Sequence, residues 1–178
     1  MRLKRSFFEK PTLWVSRNLL GKRLVRKVGG TKLVGIVSET EAYCGTADKA
    51  CHSAKGRTAR TEAMFGPAGH AYVYFIYGMH WCFNVVTRKV GEPEAVLIRG
   101  VRLPDGTLIN GPAKVAKYFK IDRRFYGEDL VKSKRLWIEN SMTCNGKRSY
   151  RIVCTPRIGV AYAGEHATLP WRFVLGKS

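Results

Sequence analysis

The stretch that most clearly indicates the fold is KRLVRKVGGTKLVGIVSETEAY, residues 22–43. Two runs of aliphatic residues lie on either side of the Gly29-Gly30 pair, a pattern typical of two strands joined by a tight turn. The second run leads directly into ETEAY, residues 39–43. We therefore predict a β-hairpin whose second strand ends in a short acidic and aromatic segment.

A second hairpin is predicted further along the chain. Aromatic and β-branched residues fill 70–77 and 81–87, and a short glycine-containing segment, 78–80, separates them. Further strands are predicted at 94–103, 136–138, 151–154 and 171–175, and helices at 12–20 and 112–121. Because most strands follow one another through turns, we predict a single α+β domain over residues 1–178, with a mainly antiparallel curved sheet and a few packed helices.

The segment between the two hairpins, residues 44–69, is rich in Gly, Ala, Thr and Arg and has little apolar periodicity. This composition predicts a long loop with at most one helical turn. Loops of such length inside a compact domain are commonly functional, so we expect this one to line a site.

The charge of the chain indicates the class of partner. Its 32 Lys and Arg residues against 13 Asp and Glu give a formal net charge of +19 and an isoelectric point near 10.1. Such a balance favours a polyanionic partner, with nucleic acid first among the candidates. The alternative is that the excess charge serves only solubility, and composition alone leaves both readings open.

Membrane and secretory roles are not favoured. No apolar run approaches the roughly 18 residues of a spanning helix, and the basic N-terminus is not followed by the apolar region of a signal peptide. We therefore expect an intracellular protein, in the cytoplasm and nucleoid or in the nucleus, with no membrane partner.

The cysteines point to the same compartment. There are five, an odd number, and none forms a C-x-x-C pair: Cys44, Cys51, Cys82, Cys144 and Cys154. Free thiols in a reducing environment fit this spacing best. Cys44, Cys51 and His52 do not have the paired spacing of a zinc site, and the motifs of the zinc deaminases are absent. We predict no metal and no cofactor.

The acidic segment carries the first candidate chemistry. In a strand, alternate side chains share a face, so Glu39, Glu41 and Tyr43 should project together. A carboxylate on a phosphate-binding surface weakens binding, which makes it a sign of chemistry, and hydrolysis of a glycosidic bond needs a carboxylate to activate water. The alternative is a solvated edge strand whose carboxylates pair with nearby Lys or Arg.

The second hairpin supplies aromatic rings. Tyr72 and Tyr74 should share one face, with Val73, Phe75 and Tyr77 on the other, core face. Enzymes that act on single bases hold the extruded base between rings, and Tyr43, His52 and Tyr74 could form such a sandwich. A large ring at the hairpin tip, Tyr77, is a candidate wedge for a base step. The alternative is that tyrosines are simply favourable strand residues.

Together these segments resemble the alkyladenine (3-methyladenine) DNA glycosylase family, and the similarity covers roughly residues 12–175. It rests on VSETEAY (37–43), ACHS (50–53), MF (64–65), YVYFIYGM (72–79), Asn84, VLIR (96–99), GPAK (111–114), RIGV (157–160) and AGE (163–165). Two departures affect the rim of the expected pocket: the loop 57–63 is one residue shorter than in vertebrate members, and His80 replaces the aromatic residue usual there.

The resemblance implies a role for each matching residue. Glu41 matches the general base, assisted by Arg99 and by a main-chain carbonyl near Ile158. The residues that match the base pocket are Tyr43, His52, Tyr72, Tyr74 and Asn84, the last of which disfavours guanine by crowding its exocyclic amine. Tyr77 matches the residue that enters the duplex, on a hairpin that inserts into DNA, and Lys114 matches a contact to the DNA backbone.

The implied activity is that of a monofunctional DNA glycosylase of base excision repair. It would flip alkylated or deaminated purines such as 3-methyladenine, 7-methylguanine, hypoxanthine or ethenoadenine out of double-stranded DNA and hydrolyse the N-glycosidic bond, leaving an abasic site. We expect a monomer. The alternative from another class is a non-catalytic basic module that binds nucleic acid through the same aromatic strands and does not need Glu41.

Overall fold

A computed structural model describes residues 1–141 and 150–176, so Cys144 lies outside the described residues. The described strands are β1 (Arg23–Val28), β2 (Thr31–Tyr43), β3 (Ala71–Ile76), β4 (His80–Thr87), β5 (Glu94–Arg102), β6 (Leu108–Asn110), β7 (Leu136–Glu139), β8 (Ile152–Thr155) and β9 (Arg172–Leu175). The α-helices are α1 (Arg5–Phe8), α2 (Thr12–Leu19) and α3 (Pro112–Tyr118), and 3₁₀ helices span His52–Lys55, Glu62–Phe65, Arg123–Phe125 and Ala161–Thr168.

The strands join into one curled sheet, a half-barrel with the order β3-β4-β5-β2-β1-β7. The long strand β2 lies at its centre: one edge pairs with β5, and the other edge pairs first with β1 and then with β9. All pairings between the described strands are antiparallel. The prediction of an α+β fold with a mainly antiparallel curved sheet is confirmed.

Most of the predicted elements are present, and the differences have local causes. Helix α3 ends at Tyr118 rather than near Ile121, because Lys120 has a left-handed backbone with φ of 51°. The loop 44–69 contains two short 3₁₀ helices where one helical turn was predicted. The short elements α1 and β6 were not predicted, since three or four residues carry too little periodicity to be recognised.

The main core lies between the sheet and helices α2 and α3. Its largest buried side chains include Phe8, Leu19, Leu24, Phe83, Ile98, Phe119, Phe125 and Phe173. Thr40 points toward this side of β2, where its hydroxyl accepts a hydrogen bond from Ser16 Oγ at 2.9 Å, and Ala42 is part of the core. Glu41, which lies between them, therefore faces the opposite side of the sheet.

A bulge in β2 accompanies this alternation. The register between β2 and β5 shifts on both sides of Glu39. Gly100 on β5 lies against the bulge, where a Cβ atom would come within 3.0 Å of both the Glu39 Cβ and the Ser38 Oγ. Glycine thus permits the close approach of the two strands next to the acidic segment.

The loop 44–69 packs against the face of the sheet that carries the predicted site. A smaller buried cluster forms there from Cys51, Met64, Tyr72, Val86 and Ala95. Hydrogen bonds from Ser53 Oγ to the Pro93 carbonyl, at 2.9 Å, and from the Ala63 amide to the Tyr126 hydroxyl, also at 2.9 Å, fix the loop to the body of the domain. In the described part of the chain, no helix has the length and apolar character needed to cross a bilayer.

Candidate active site

A cavity of about 500 Å³ opens between the loop 44–69, the β3–β4 hairpin and the segment that follows β8. This volume lies in the usual range for sites that hold a small molecule or a single base. The predicted site residues that line it are Tyr43, His52, Tyr72, Tyr74, Tyr77, Asn84 and Arg99. The fold thus brings together residues that are up to 56 positions apart in the sequence, from Tyr43 to Arg99.

Glu41 lies fully buried directly behind the cavity wall. Its Oε1 accepts a hydrogen bond from the Ile158 amide at 2.8 Å and is 3.4 Å from Arg99 Nε, while its Oε2 accepts one from the Tyr43 hydroxyl at 2.9 Å. All three of these partners line the cavity. The main chain at Ile158 thus contacts Glu41 through its amide. The assistance from a main-chain carbonyl near Ile158 that the resemblance implied stays a prediction.

The surroundings of Glu41 change its proton affinity. Burial raises the pKa of the carboxyl group, and although Arg99, the Ile158 amide and the Tyr43 hydroxyl oppose this, they only partly offset it. A carboxylate with a raised pKa is a stronger base than an exposed one, which suits it for taking a proton from water.

Glu39 shares the face of Glu41 but has a different environment. Its Oε1 accepts hydrogen bonds from Arg99 Nε at 2.9 Å and from Arg172 Nε at 2.6 Å. Both carboxylates are buried in the centre of the sheet, so the alternative of a solvated edge strand is wrong. Of the two arginines that bind Glu39, only Arg99 lines the cavity, whereas all three partners of Glu41 line it. Glu41 is therefore the carboxylate more closely linked to the cavity wall.

His52, Tyr72 and Tyr74 form one aromatic cluster on the cavity wall. His52 Nδ1 and the Tyr72 hydroxyl are 2.9 Å apart, and the rings of His52 and Tyr74 are 4.5 Å apart at an angle of 76°. Two rings at such an angle cannot both lie flat against one planar base. In this arrangement one of them offers its face and the other its edge.

His52 is neutral under ordinary conditions. Its pKa is lowered to about 4 by burial, with smaller contributions from the positive charges of Arg60 and Lys55. A neutral imidazole does not repel a positively charged ligand, and one of its two nitrogens can accept a hydrogen bond.

Tyr77 lies at the tip of the β3–β4 hairpin and is 86% exposed. Its φ is 52° and that of Gly78 is 65°, a pair of positive values that hairpin turns usually fill with Asn-Gly. A tyrosine in this conformation is strained, and because its ring is exposed, no burial energy compensates for the strain. Backbone outliers of this kind are concentrated at functional sites.

The predicted core face of β3 is only partly correct. Val73 is buried in the main core, but Phe75 is 43% exposed and packs against Trp81, with ring centroids 4.6 Å apart. The hairpin extends beyond the body of the domain at this point, so no core remains for Phe75 to enter.

Asn84 and Lys114 occupy different positions relative to the cavity. Asn84 is buried in the wall, where its Nδ2 donates to the Tyr72 carbonyl at 3.0 Å. Lys114 is exposed on α3 and does not line the cavity, although Pro112 at the start of the same helix does.

Several residues of the site were not predicted from the sequence. Arg60 lies on the cavity wall with its guanidinium 5.4 Å from the Tyr74 ring centroid, and the Tyr162 hydroxyl donates to the Ala50 carbonyl at the rim. Behind the wall, Asp48 and Arg157 form a buried ion pair. Arg157 belongs to the RIGV segment (157–160) that contributes to the resemblance, but no role was assigned to it. The other three are isolated polar residues in loops, which produce no periodic pattern that would distinguish them from solvated residues.

Comparison with known proteins identifies the family that the chain resembles. A family model described as methylpurine-DNA glycosylase (MPG) matches residues 6–178. A protein of Methanocella arvoryzae named "Putative 3-methyladenine DNA glycosylase" is 46% identical over 186 residues, which span 96% of this chain and 90% of that protein. Proteins of the same name from Desulfitobacterium hafniense and Myxococcus xanthus are 42% and 47% identical, over 99% and 96% of this chain and 96% and 88% of their own lengths.

Proposed function

Because the chain belongs to the methylpurine-DNA glycosylase family, we propose that Glu41 is the general base with which it hydrolyses the N-glycosidic bond of a damaged purine. The activity itself follows from the family and from relatives that match over nearly the full length: the protein removes alkylated purines such as 3-methyladenine from DNA in base excision repair. The observation that carries the role of Glu41 is its buried, hydrogen-bonded carboxylate directly behind the wall of an aromatic cavity.

The reaction needs a base and a good leaving group. An N-alkylated purine already carries positive charge, so the bond from the sugar C1′ to the base nitrogen breaks with its electron pair moving to the base. A water molecule then forms the new bond to C1′ and gives its proton to Glu41. The negative carboxylate also stabilises the positive charge that develops on the sugar. Oε2 accepts one hydrogen bond, from the cavity-lining Tyr43, and so has a further lone pair with which it would accept the proton.

The cavity would hold the flipped base. The Tyr43 ring would stack on one side and the His52–Tyr74 pair would meet the other, since aromatic rings bind electron-poor purines by stacking. The neutral state of His52 avoids repulsion of a cationic base. Tyr72 supports the pair through its hydrogen bond to His52.

The hairpin and the positive charge would engage the duplex. We infer that Tyr77 fills the gap left by the flipped nucleotide, because it is exposed, strained and adjacent to the cavity. Lys114 and other basic residues of the +19 chain would contact phosphates. These roles describe a monomer on double-stranded DNA inside the cell.

Excision of the base in the absence of metal tests this function. The protein should convert duplexes that carry one 3-methyladenine-like, hypoxanthine or ethenoadenine base into alkali-labile abasic sites, with EDTA present, since the proposed nucleophile needs no metal. The measurement is strand scission of end-labelled DNA after alkali treatment. Binding without scission on every substrate would favour the non-catalytic module instead.

Asn84→Ser is expected to weaken discrimination against guanine. A shorter side chain in the wall leaves space for a 2-amino group, so specificity that arises from a clash is lost. Excision of guanine relative to hypoxanthine, which differ only in that group, should rise severalfold in single-turnover assays. Asn18→Ser is the matched control, because Asn18 Nδ2 also donates to a main-chain carbonyl, that of Trp14, but lies on α2. An unchanged ratio for Asn84→Ser would remove this residue from the selectivity role.

A further inference from the structure

A buried ion pair lies behind the cavity wall on the side of Glu41. Arg157 Nη1 is 2.5 Å from Asp48 Oδ2, and Arg157 Nη2 donates to Asp48 Oδ1 at 2.9 Å. Both side chains are essentially inaccessible to solvent, at 0% and 1%. A bidentate pair of this kind has a defined geometry, so it fixes the segments that carry its two members relative to each other.

The guanidinium of Arg157 also binds two main-chain carbonyls. Nη1 donates to Ala42 at 2.9 Å, and Nη2 donates to His166 at 3.0 Å. Ala42 lies between Glu41 and Tyr43 on β2, whereas His166 belongs to the segment that follows Ile158. One side chain therefore connects β2, the loop 44–69 and the segment 157–168.

Aromatic rings and further hydrogen bonds hold this connection in place. The guanidinium carbon is 4.9 Å from the Tyr43 ring centroid and 5.0 Å from that of Trp171. Asp48 in turn accepts hydrogen bonds from the Cys44 and Ala50 amides, each at 3.1 Å. Burial raises the pKa of Asp48, but the hydrogen bonds from Arg157 and from the Cys44 and Ala50 amides, together with the positive charge of Arg157, outweigh it and hold the pKa below its usual value, so this carboxylate stays ionised.

Arg157 is the chain neighbour of a residue that contacts Glu41, and this links the ion pair to catalysis. Arg157 immediately precedes Ile158, whose amide donates to Glu41 Oε1. A hydrogen bond to an ionised carboxylate stabilises the ionised form, so the Ile158 amide lowers the pKa of Glu41, which burial raises. Any displacement of residue 157 would move the amide away from the carboxylate.

We propose that Asp48 and Arg157 are positioning residues for the reaction: they hold the Ile158 amide against Glu41 and thereby orient the catalytic carboxylate and keep it ionised. Neither residue touches the substrate. The proposal rests on the role of Glu41 given above, and it gives a function to a buried ion pair, which by itself is weak evidence for a contribution to stability.

Arg157→Lys tests the proposal, because lysine keeps the positive charge but cannot reproduce the four hydrogen bonds of the guanidinium. In the variant, the pH below which single-turnover excision declines should move upward by about half a unit, since the carboxylate loses a hydrogen bond that favours its ionised form. The maximal rate should fall severalfold, while affinity for the damaged duplex stays unchanged. Arg5→Lys is the matched control: Arg5 also binds a carboxylate and a carbonyl, those of Asp129 and Ala68, but lies away from the cavity.

A second measurement does not depend on activity. The amide resonance of Ile158 should titrate with Glu41 in the wild-type protein, cease to titrate in Glu41→Gln, and move upfield in Arg157→Lys as its hydrogen bond lengthens. A folded Arg157→Lys variant with an unchanged pH profile and an unchanged Ile158 resonance would overturn the proposal. If Arg157→Lys does not fold, Asp48→Asn decides by the same two readouts. If Glu41 is not the base, the result is different: the fall of the excision rate at low pH that the wild type shows would persist in Glu41→Gln.

Discussion

Glu41→Gln should lower the single-turnover rate of excision by at least about 100-fold, the usual scale of a general-base contribution. Glutamine keeps the size and the hydrogen-bonding shape of the side chain but cannot take a proton from water. DNA affinity should be retained or slightly higher, because a carboxylate that repels phosphate is removed. The measurements are quenched single-turnover assays on a duplex with one damaged purine, together with equilibrium binding to the same duplex.

The neighbouring carboxylate gives the comparison that assigns this loss. Glu39→Gln removes the ion pairs to Arg99 and Arg172 but leaves Glu41 in contact with Tyr43 and Ile158. Glu39→Gln should therefore lower the free energy of unfolding, and it should lower the excision rate much less than Glu41→Gln does. A Glu41→Gln variant that excises at a near wild-type rate, or a Glu39→Gln variant with the greater loss, would transfer the role of base to Glu39.

The stability of Glu41→Gln provides a further control. Because burial raises the pKa of Glu41, the folded protein binds this proton more tightly than the unfolded chain does. The contribution of the protonated form to the free energy of unfolding is therefore present below the unfolded pKa and is lost as the pH rises through the folded pKa. Glutamine has no ionised form to bury, so the thermal midpoint of the variant near neutral pH should be no lower than that of the wild type.

Tyr77→Asn should lower the rate of excision from duplex DNA by about 10- to 100-fold. This corresponds to a loss of about 1.4–2.8 kcal/mol in the stabilisation of the flipped nucleotide. Excision from single-stranded DNA should change little, since no gap in a base stack needs to be filled. The fold should be at least as stable as in the wild type, because Asn favours the left-handed backbone at this turn. Parallel assays on both forms of one oligonucleotide, with a thermal melt, measure all three effects.

Val90→Asn is the matched control for loss of an exposed apolar side chain. Val90 is 69% exposed and lies in a turn three residues past the end of β4, at the opposite end of that strand from the hairpin tip. Its replacement should leave the ratio of duplex to single-strand excision unchanged. Equal losses on both substrates for Tyr77→Asn would assign Tyr77 to the pocket rather than to the duplex.

Much of the fold could be predicted because its elements are locally encoded. The Gly29-Gly30 pair and the aliphatic runs around it specify the β1–β2 hairpin, and the alternation along β2 places Thr40 toward the helices and Glu41 toward the cavity. The resemblance to a known family supplied the remaining site residues, and the fold brings those of the pocket together.

Other features depend on contacts that the sequence pattern does not contain. The bulge at Glu39 requires Gly100, which is 61 residues away in the chain, and the pairing of Asp48 with Arg157 joins loops 109 residues apart. The strain at Tyr77 is a property of the backbone, which residue type alone does not reveal. Such long-range and conformational features are visible only in the structure.

The pH dependence of excision tests the role of Glu41 most directly. With 7-methylguanine as substrate, the base is already cationic and needs no proton to leave, so the acid decline reports the base alone. The single-turnover rate should fall about tenfold per pH unit below a midpoint that lies above the ordinary Glu pKa of 4.5, whereas His52 titrates lower, at about 4. The decline should be absent from the residual activity of Glu41→Gln. A wild-type rate that stays constant to below pH 4.5, or a decline that survives in Glu41→Gln, would contradict the assignment of Glu41 as the base.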